Sequence, residues 1–183
     1  QAVGERLAAD PLPAVRQVEV IAPEGPVAVP TGEDCIAHAG HVAGEHHSCQ
    51  ANMMERDIVP AAMSSAFTRS SVALADRLLA ALQAAEGEGG DVRGRQPAAL
   101  AVAAAEGEPW RRTIDLRVDD HPDPLTELDR LLDLSDAYAL ATEGDDLTGE
   151  GRHDEAAANY AAASATAPGN HELLFWAGLA AAP

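Results

Sequence analysis

Lysine is absent from this chain: all twelve of its basic residues are arginines. That excludes a P-loop lysine, a Schiff-base lysine and a lysine general base. Aromatic residues are only 3% of the sequence, and the formal net charge is -18. So few rings make no base-stacking platform, and so acidic a surface repels a phosphate backbone, so no nucleic-acid partner is expected. No apolar run approaches the roughly 20 residues that span a bilayer, so no membrane association is expected either. Cysteine is scarce as well. Cys35 and Cys49 do not make a disulfide framework and read as reduced thiols of a cytoplasmic protein. The Gly-x-Ser-x-Gly elbow is missing, which excludes a serine hydrolase of that type. The chain opens in mid-pattern at Gln1 and stops at Ala-Ala-Ala-Pro within a helical pattern, which reads as a fragment.

What is present follows an α+β order. Residues 2–9 read as the tail of a helix, and 17–21 with 27–29 read as a hairpin around Pro23-Glu24-Gly25-Pro26. Cys35 to Asn52 reads as short strands or loops. From about Val59 two helices follow, broken at Arg69-Ser70-Ser71. Residues 86–95 are glycine-rich and read as a loop, and 98–103 reads as a short buried strand. Ile114, Leu116 and Val118 then alternate with Asp115, Arg117 and Asp119, the period-two pattern of a strand with one apolar face. Asp123-Pro124 supplies an N-cap carboxylate and a proline at the first helical position, and the helix it opens is expected to bury Leu125, Leu128, Leu131 and Leu132.

After about Asp136 the composition turns to alanine and polar residues. Leu140 and Leu174 correspond there, as do Gly144 and Gly178, at the roughly 34-residue period of tetratricopeptide helix pairs. Between them Gly151, Ala156, Tyr160, Ala163 and Pro168 resemble the remaining diagnostic positions; Glu143 departs, standing where a leucine is usual. Residues 1–135 are therefore read as one domain and 136–183 as incomplete helical repeats.

Three clusters carry candidate chemistry. Cys35, His38, His41, His46, His47 and Cys49 offer zinc ligands, but their spacing fits no standard finger. The favoured reading makes the cysteines small buried residues and His46-His47 a solvated turn, with no metal or other cofactor. A cysteine nucleophile paired with His38 or His47 is the second possibility, disfavoured because sequence neighbours rarely reach that geometry. The third joins Asp91, Arg93, Arg95 and Gln96 to Asp115, Arg117 and Asp119, which meet if their strands pair. An ion-pair network fixing register is the favoured reading there, and an arginine anchor for a substrate carboxylate the other. His121 is a candidate acid/base or a salt-bridged turn residue.

Five ordered motifs resemble a known family: Thr31-Gly32-Glu33-x-Cys35, Ala39-Gly40-His41-x-x-Gly44, Cys49-Gln50-x-Asn52, Gly89-Gly90-Asp91-x-Arg93-Gly94-Arg95-Gln96, and Asp115 to Pro124. Together they are similar to the bacterial and archaeal domain of unknown function 1028. The resemblance implies a fold like that of N-terminal-nucleophile hydrolases, a four-layer αββα sandwich, here without its first strands. It also implies a Thr or Ser nucleophile in a part this chain lacks, with Asp91, Arg95, Arg117 and Asp119 as catalytic support and Gln50, Asn52 and His121 as binding residues. Ala51 stands where the family usually has glycine, and Pro97 where it usually has serine. The implied function is a fragment of an amide-bond hydrolase fused to a partner-binding repeat. The alternative is a non-catalytic sandwich serving as an interaction platform. The expected partners are a small amide or peptide substrate, a protein held by the repeats, and a second copy of the chain.

Overall fold

The computed structural model describes residues 2–22, 27–108 and 110–181. Among them are six helices and three separate two-stranded antiparallel sheets, an α+β arrangement. Helix α1 (Ala2–Ala8) leads through a 3-10 turn at Pro13–Val15 into β1 (Val20–Ile21) and β2 (Val27–Ala28). The turn expected at Pro23 to Pro26 lies outside the described residues. The glycine- and histidine-rich stretch forms a second hairpin, β3 (Gly40–Ala43) and β4 (Ser48–Ala51), with His41 opposite Gln50. Helices α2 (Val59–Arg69) and α3 (Leu74–Gly87) follow, and α2 covers the β3–β4 hairpin with Val59 fully buried.

The third hairpin joins β5 (Ala98–Ala103) and β6 (Arg112–Val118). Its register sets Leu100 opposite Leu116 and Val102 opposite Ile114, so the apolar residues share one face. Ala99, Ala101 and Ala103 point to solvent, and β5 is therefore not buried on both faces as its sequence suggests. Alanine is apolar yet small enough to stand in water at little cost, so an alanine-rich strand hides its alternation. That apolar face, with α3, receives the start of α4. Ala75, Leu79, Leu100, Val118, Leu128 and Leu132 form one core.

Helix α4 (Pro124–Gly149) runs 26 residues without interruption, straight through the change in composition near Asp136. Neither glycine nor proline occurs between Leu125 and Glu143 to stop it. Its second half packs on α5 (His153–Thr166), and α6 (His171–Ala180) packs on both. Ala137, Ala141, Leu147, Ala156, Tyr160, Ala163 and Leu173 make a second core. Gly144 is needed there, because a Cβ would come within about 3.0–3.3 Å of the Tyr160 ring. The Tyr160 hydroxyl, sunk between the helices, donates to Asp145 Oδ1 at 2.7 Å. One helix thus carries two cores, and the division expected at residue 135 falls inside it.

Asp136 lies between the cores. Although Asp136 is exposed, partial desolvation, then the charges of Asp76 and Asp133, push its carboxyl above the ordinary range. A carboxyl with a raised folded pKa favours the folded state only while protonated, and the contribution is lost as pH rises through that pKa. Asp136→Asn is therefore expected to raise Tm at pH 7 by about 1–2 °C. The gain should vanish as pH falls below about 4, where aspartate is protonated in either state. Thermal melts of both proteins across that pH range check the sign.

Among the described residues no helix is long and apolar enough to cross a membrane.

Candidate functional site

The loop after α3 turns because Gly89 and Gly90 take φ of 107° and 62°, where side chains are disfavoured. It is then pinned to the segment after β4: Glu55 N–H donates to Gly90 O at 2.9 Å and Val92 N–H to Met53 O at 2.9 Å. Asp91, bridged to Met54, is held by its own loop. Its Oδ1 accepts from the Arg93 backbone at 2.8 Å and from Nε at 2.9 Å, and Oδ2 accepts from Nη2 at 2.6 Å. Hydrogen bonds from Arg93 hold its carboxyl below the usual carboxylate range.

Arg95 is a clamp across three segments. Nε donates to Glu86 Oε1 at 3.1 Å on α3, and Nη1 donates to Pro122 O at 3.2 Å and meets Asp123 Oδ2 at 3.1 Å. Asp123 caps α4, accepting from Thr126 N–H at 3.5 Å, and that bond first, with Arg95 adding to it, lowers its pKa. A cleft of about 390 Å³ lies beside this clamp. Glu86, Asp91, Arg95, Gln96 and Asp123 supply its polar wall, while Leu82, Pro97 and Leu125 are among its apolar lining. The mixture of apolar body and a few fixed polar groups suits a small organic ligand.

The structure brings Asp91, Arg95 and Gln96 to one cleft and leaves Arg117, Asp119, Gln50, Asn52 and His121 out of its lining. The hairpin that was to join them does form, but Arg117 and Asp115 stand opposite Ala99 and Ala101. They meet each other at 3.9 Å, largely in water, and among the described residues make no other ion pair. Asp119 is exposed beyond the end of β6. Thus the expected network between 91–96 and 115–119 is replaced by the shorter pairs Arg93–Asp91 and Arg95–Glu86–Asp123, because the loop arginines curl back before the strand begins. His121 is exposed, and its Nδ1 accepts from Asp123 N–H at 3.0 Å, closing the turn into α4.

Gln50 and Asn52 belong to a second polar group. Asn52 Nδ2 donates to Gln17 Oε1 at 2.8 Å, and Gln17 Nε2 stands 3.1 Å from Thr31 Oγ1, Gly40 O and Ala51 O. Thr31 Oγ1 lies 2.8 Å from His41 Nδ1. Gln50 stands opposite His41 in the ladder, and its buried Oε1 has no hydrogen-bond partner among the described residues. Gln17 is the residue that sequence reasoning missed: its reach across three segments has no short-range signature.

The cysteine–histidine stretch opens out on folding. Among the described residues no three His, Cys, Asp or Glu side chains converge as a metal site requires. Cys49 is buried, and burial first, then Glu19, raises its thiol pKa, the reverse of what a nucleophile needs. His46 is solvated, at a positive φ of 63°. His47 is not part of a solvated turn, as was expected for the pair. Its ring lies over Gly44, tilts against Phe67 at 5.0 Å and places Nε2 2.9 Å from Ser64 Oγ.

The profile of DUF1028, described as a family of unknown function, matches residues 1–128. The chain belongs to this family. Among solved structures, the crystal structure of a DUF1028 protein from Silicibacter pomeroyi is 33% identical and superposes with a TM-score of 0.61. The alignment covers 72% of this chain and 57% of that one, so this chain spans little more than half the length of its solved relative. No curated protein matches. The DUF1028 match takes in the Asp91–Arg95 clamp and the Gln17–Asn52 group and ends inside α4, at Leu128 of the first core.

Proposed function

We propose that the chain is the pocket-bearing part of an amide-bond hydrolase of the N-terminal-nucleophile type, with the nucleophile supplied by residues outside it. The observation that carries this reading is the cleft beside Arg95, where two residues of the DUF1028-like motifs, Asp91 and Arg95, meet an apolar wall. In such a mechanism a terminal hydroxyl or thiol attacks the amide carbonyl and its own α-amine takes the proton. The side chains here would hold the substrate against that nucleophile. A four-layer sandwich would need strands beyond the three hairpins described above.

A second reading, a non-catalytic platform, is favoured by one specific fact. Arg95 already meets Glu86, Pro122 and Asp123, and Asp91 already meets Arg93, so both have structural partners. On either reading the second half of α4 with α5 and α6 serves as a tetratricopeptide-like repeat that engages a protein. Gly144, Ala156, Tyr160 and Ala163 support it, since small residues let the helices close around one ring.

A panel of acyl amides separates the two readings. This chain, with Cys35, Cys49 and Ser64 replaced by alanine, is expected to turn none of them over. Turnover that survives all three replacements would sink the assignment of the nucleophile to residues outside the chain. A DUF1028 protein extended upstream is expected to hydrolyse at least one amide, and Arg95→Met is expected to lower its kcat/KM by roughly 10–100-fold. Turnover by the extended protein that is indifferent to this change would leave the cleft without a catalytic role.

A further inference from the structure

We propose that Ser64 and His47 form a nucleophile–base pair that hydrolyses small carboxylic esters, separate from the Arg95 cleft. The tautomer follows from the partners. His47 Nδ1 lies 3.3 Å from the backbone oxygen of Glu45, and a carbonyl oxygen only accepts, so Nδ1 carries the proton. Nε2 then holds the lone pair, and it sits 2.9 Å from Ser64 Oγ, so the serine hydroxyl donates to it. This is the arrangement a general base needs: one ring nitrogen oriented by an acceptor, the other on the nucleophile within about 2.6–3.2 Å.

The ring is fixed in that pose by more than its hydrogen bonds. The β3–β4 turn passes through a positive φ at His46, and Gly44 leaves room that any Cβ would take from the His47 ring. Phe67, one turn after Ser64 on α2, tilts against the imidazole, with ring centroids 5.0 Å apart. Arg77 from α3 stacks its guanidinium 4.0 Å from the Phe67 centroid and donates Nε–H to Phe67 O at 3.0 Å. A cleft of about 490 Å³ opens on the His47 side of the pair, lined in part by Glu45, His47, Phe67, Thr68, Leu74 and Arg77, with Ser64 behind the imidazole rather than in the lining. It offers an aromatic and aliphatic wall for the body of an ester, with one positive side chain, Arg77, and one negative, Glu45, in its lining.

The reaction balances without a cofactor. Ser64 Oγ bonds to the ester carbonyl carbon while His47 Nε2 takes the hydroxyl proton. The C–O bond to the leaving group breaks, and the alcohol departs with that proton. Water then attacks the acyl-serine, His47 takes its proton, and the carboxylic acid leaves with Ser64 restored. A role confined to tying the β3–β4 hairpin to α2 would use the same hydrogen bond but would leave Ser64 inert.

The test uses the chain with Cys35 and Cys49 replaced by alanine, so that thiols add no turnover. A fluorophosphonate probe is expected to label Ser64, located by mass spectrometry of peptides. Turnover of p-nitrophenyl acetate is expected to fall by roughly 100-fold or more in Ser64→Ala and in His47→Gln. Absence of label on Ser64, or ester turnover unchanged by Ser64→Ala, would reduce the pair to a structural tie. Labelling is read in protein with Ser64 and His47 intact, so it holds even where a variant folds poorly. The amide-hydrolase reading stands or fails on the extended protein and on Arg95→Met, and the amide test on this chain is run with Ser64 already removed, so the two outcomes are separable.

Discussion

Leu128→Ala is expected to destabilise the protein by about 2–5 kcal/mol, the range for a fully enclosed leucine whose neighbours cannot close the void. Leu128 is at 0% exposure and belongs to the core that Leu79 of α3, Leu100 of β5, Val118 of β6 and Leu132 of its own helix complete. Three elements therefore lose contacts at once, and none can move in without leaving its partner. A melt should record a fall in Tm of roughly 5–15 °C for a chain of this size. Leu128→Met, which keeps the volume, should cost less than about 1.5 kcal/mol. Leu125→Ala, one turn earlier and half-buried, should fall between the two. A loss under about 1 kcal/mol for Leu128→Ala would mean that α4 does not seat on the β5–β6 hairpin as described.

The sequence made this core legible through two periods that agree. Ile114, Leu116 and Val118 alternate and face the apolar side of the hairpin, while Leu128 and Leu132 recur at helical spacing above them. The cap was legible for the same reason: Asp123 and Pro124 each have one preferred place at a helix start, and they occupy it. What escaped was everything set by reach. Arg95 was expected to face Asp115 and Asp119 across the hairpin, but a long guanidinium finds whichever carboxylate the loop brings near, here Glu86 and Asp123. Gln17 and Asn52 are 35 residues apart, and His47 and Ser64 are 17 apart. No periodicity links such pairs, and one sequence alone does not reveal them.

The change in composition near Asp136 was legible too, but its meaning was not. It marks a change in what the helix packs against, not an end to the helix. Leucines at 128 and 132 meet a sheet and a helix, where large side chains fill the space; alanines at 137 and 141 meet α5 closely, where they leave room for Tyr160. Alanine, serine and aspartate in the interval carry no backbone obstacle, so the hydrogen-bond ladder continues.

That continuity has a mechanical consequence which one substitution exposes. Ser135 is half-buried, in neither core, between Leu132 and Ala137. Proline there removes the amide that bonds to the Leu131 carbonyl and sets its ring against that oxygen, at a cost of about 3 kcal/mol or more. Ser135→Ala, with better helix propensity and no backbone lesion, should leave stability unchanged or slightly higher. Beyond the energy, Ser135→Pro should divide the unfolding. The second core rests on one helix pair and α6, and on the tetratricopeptide-like reading proposed above such units need about three to stand alone. With α4 intact, the first core lends it a prebuilt helix, and the two should melt together. With α4 broken, Trp176 fluorescence from α6 should report an early transition, while far-UV circular dichroism shows a second one carried by the first core. Limited proteolysis should cut α5 and α6 first in the proline variant and show no such preference in the parent. Coincident transitions in Ser135→Pro would mean that contacts other than the shared helix join the two cores.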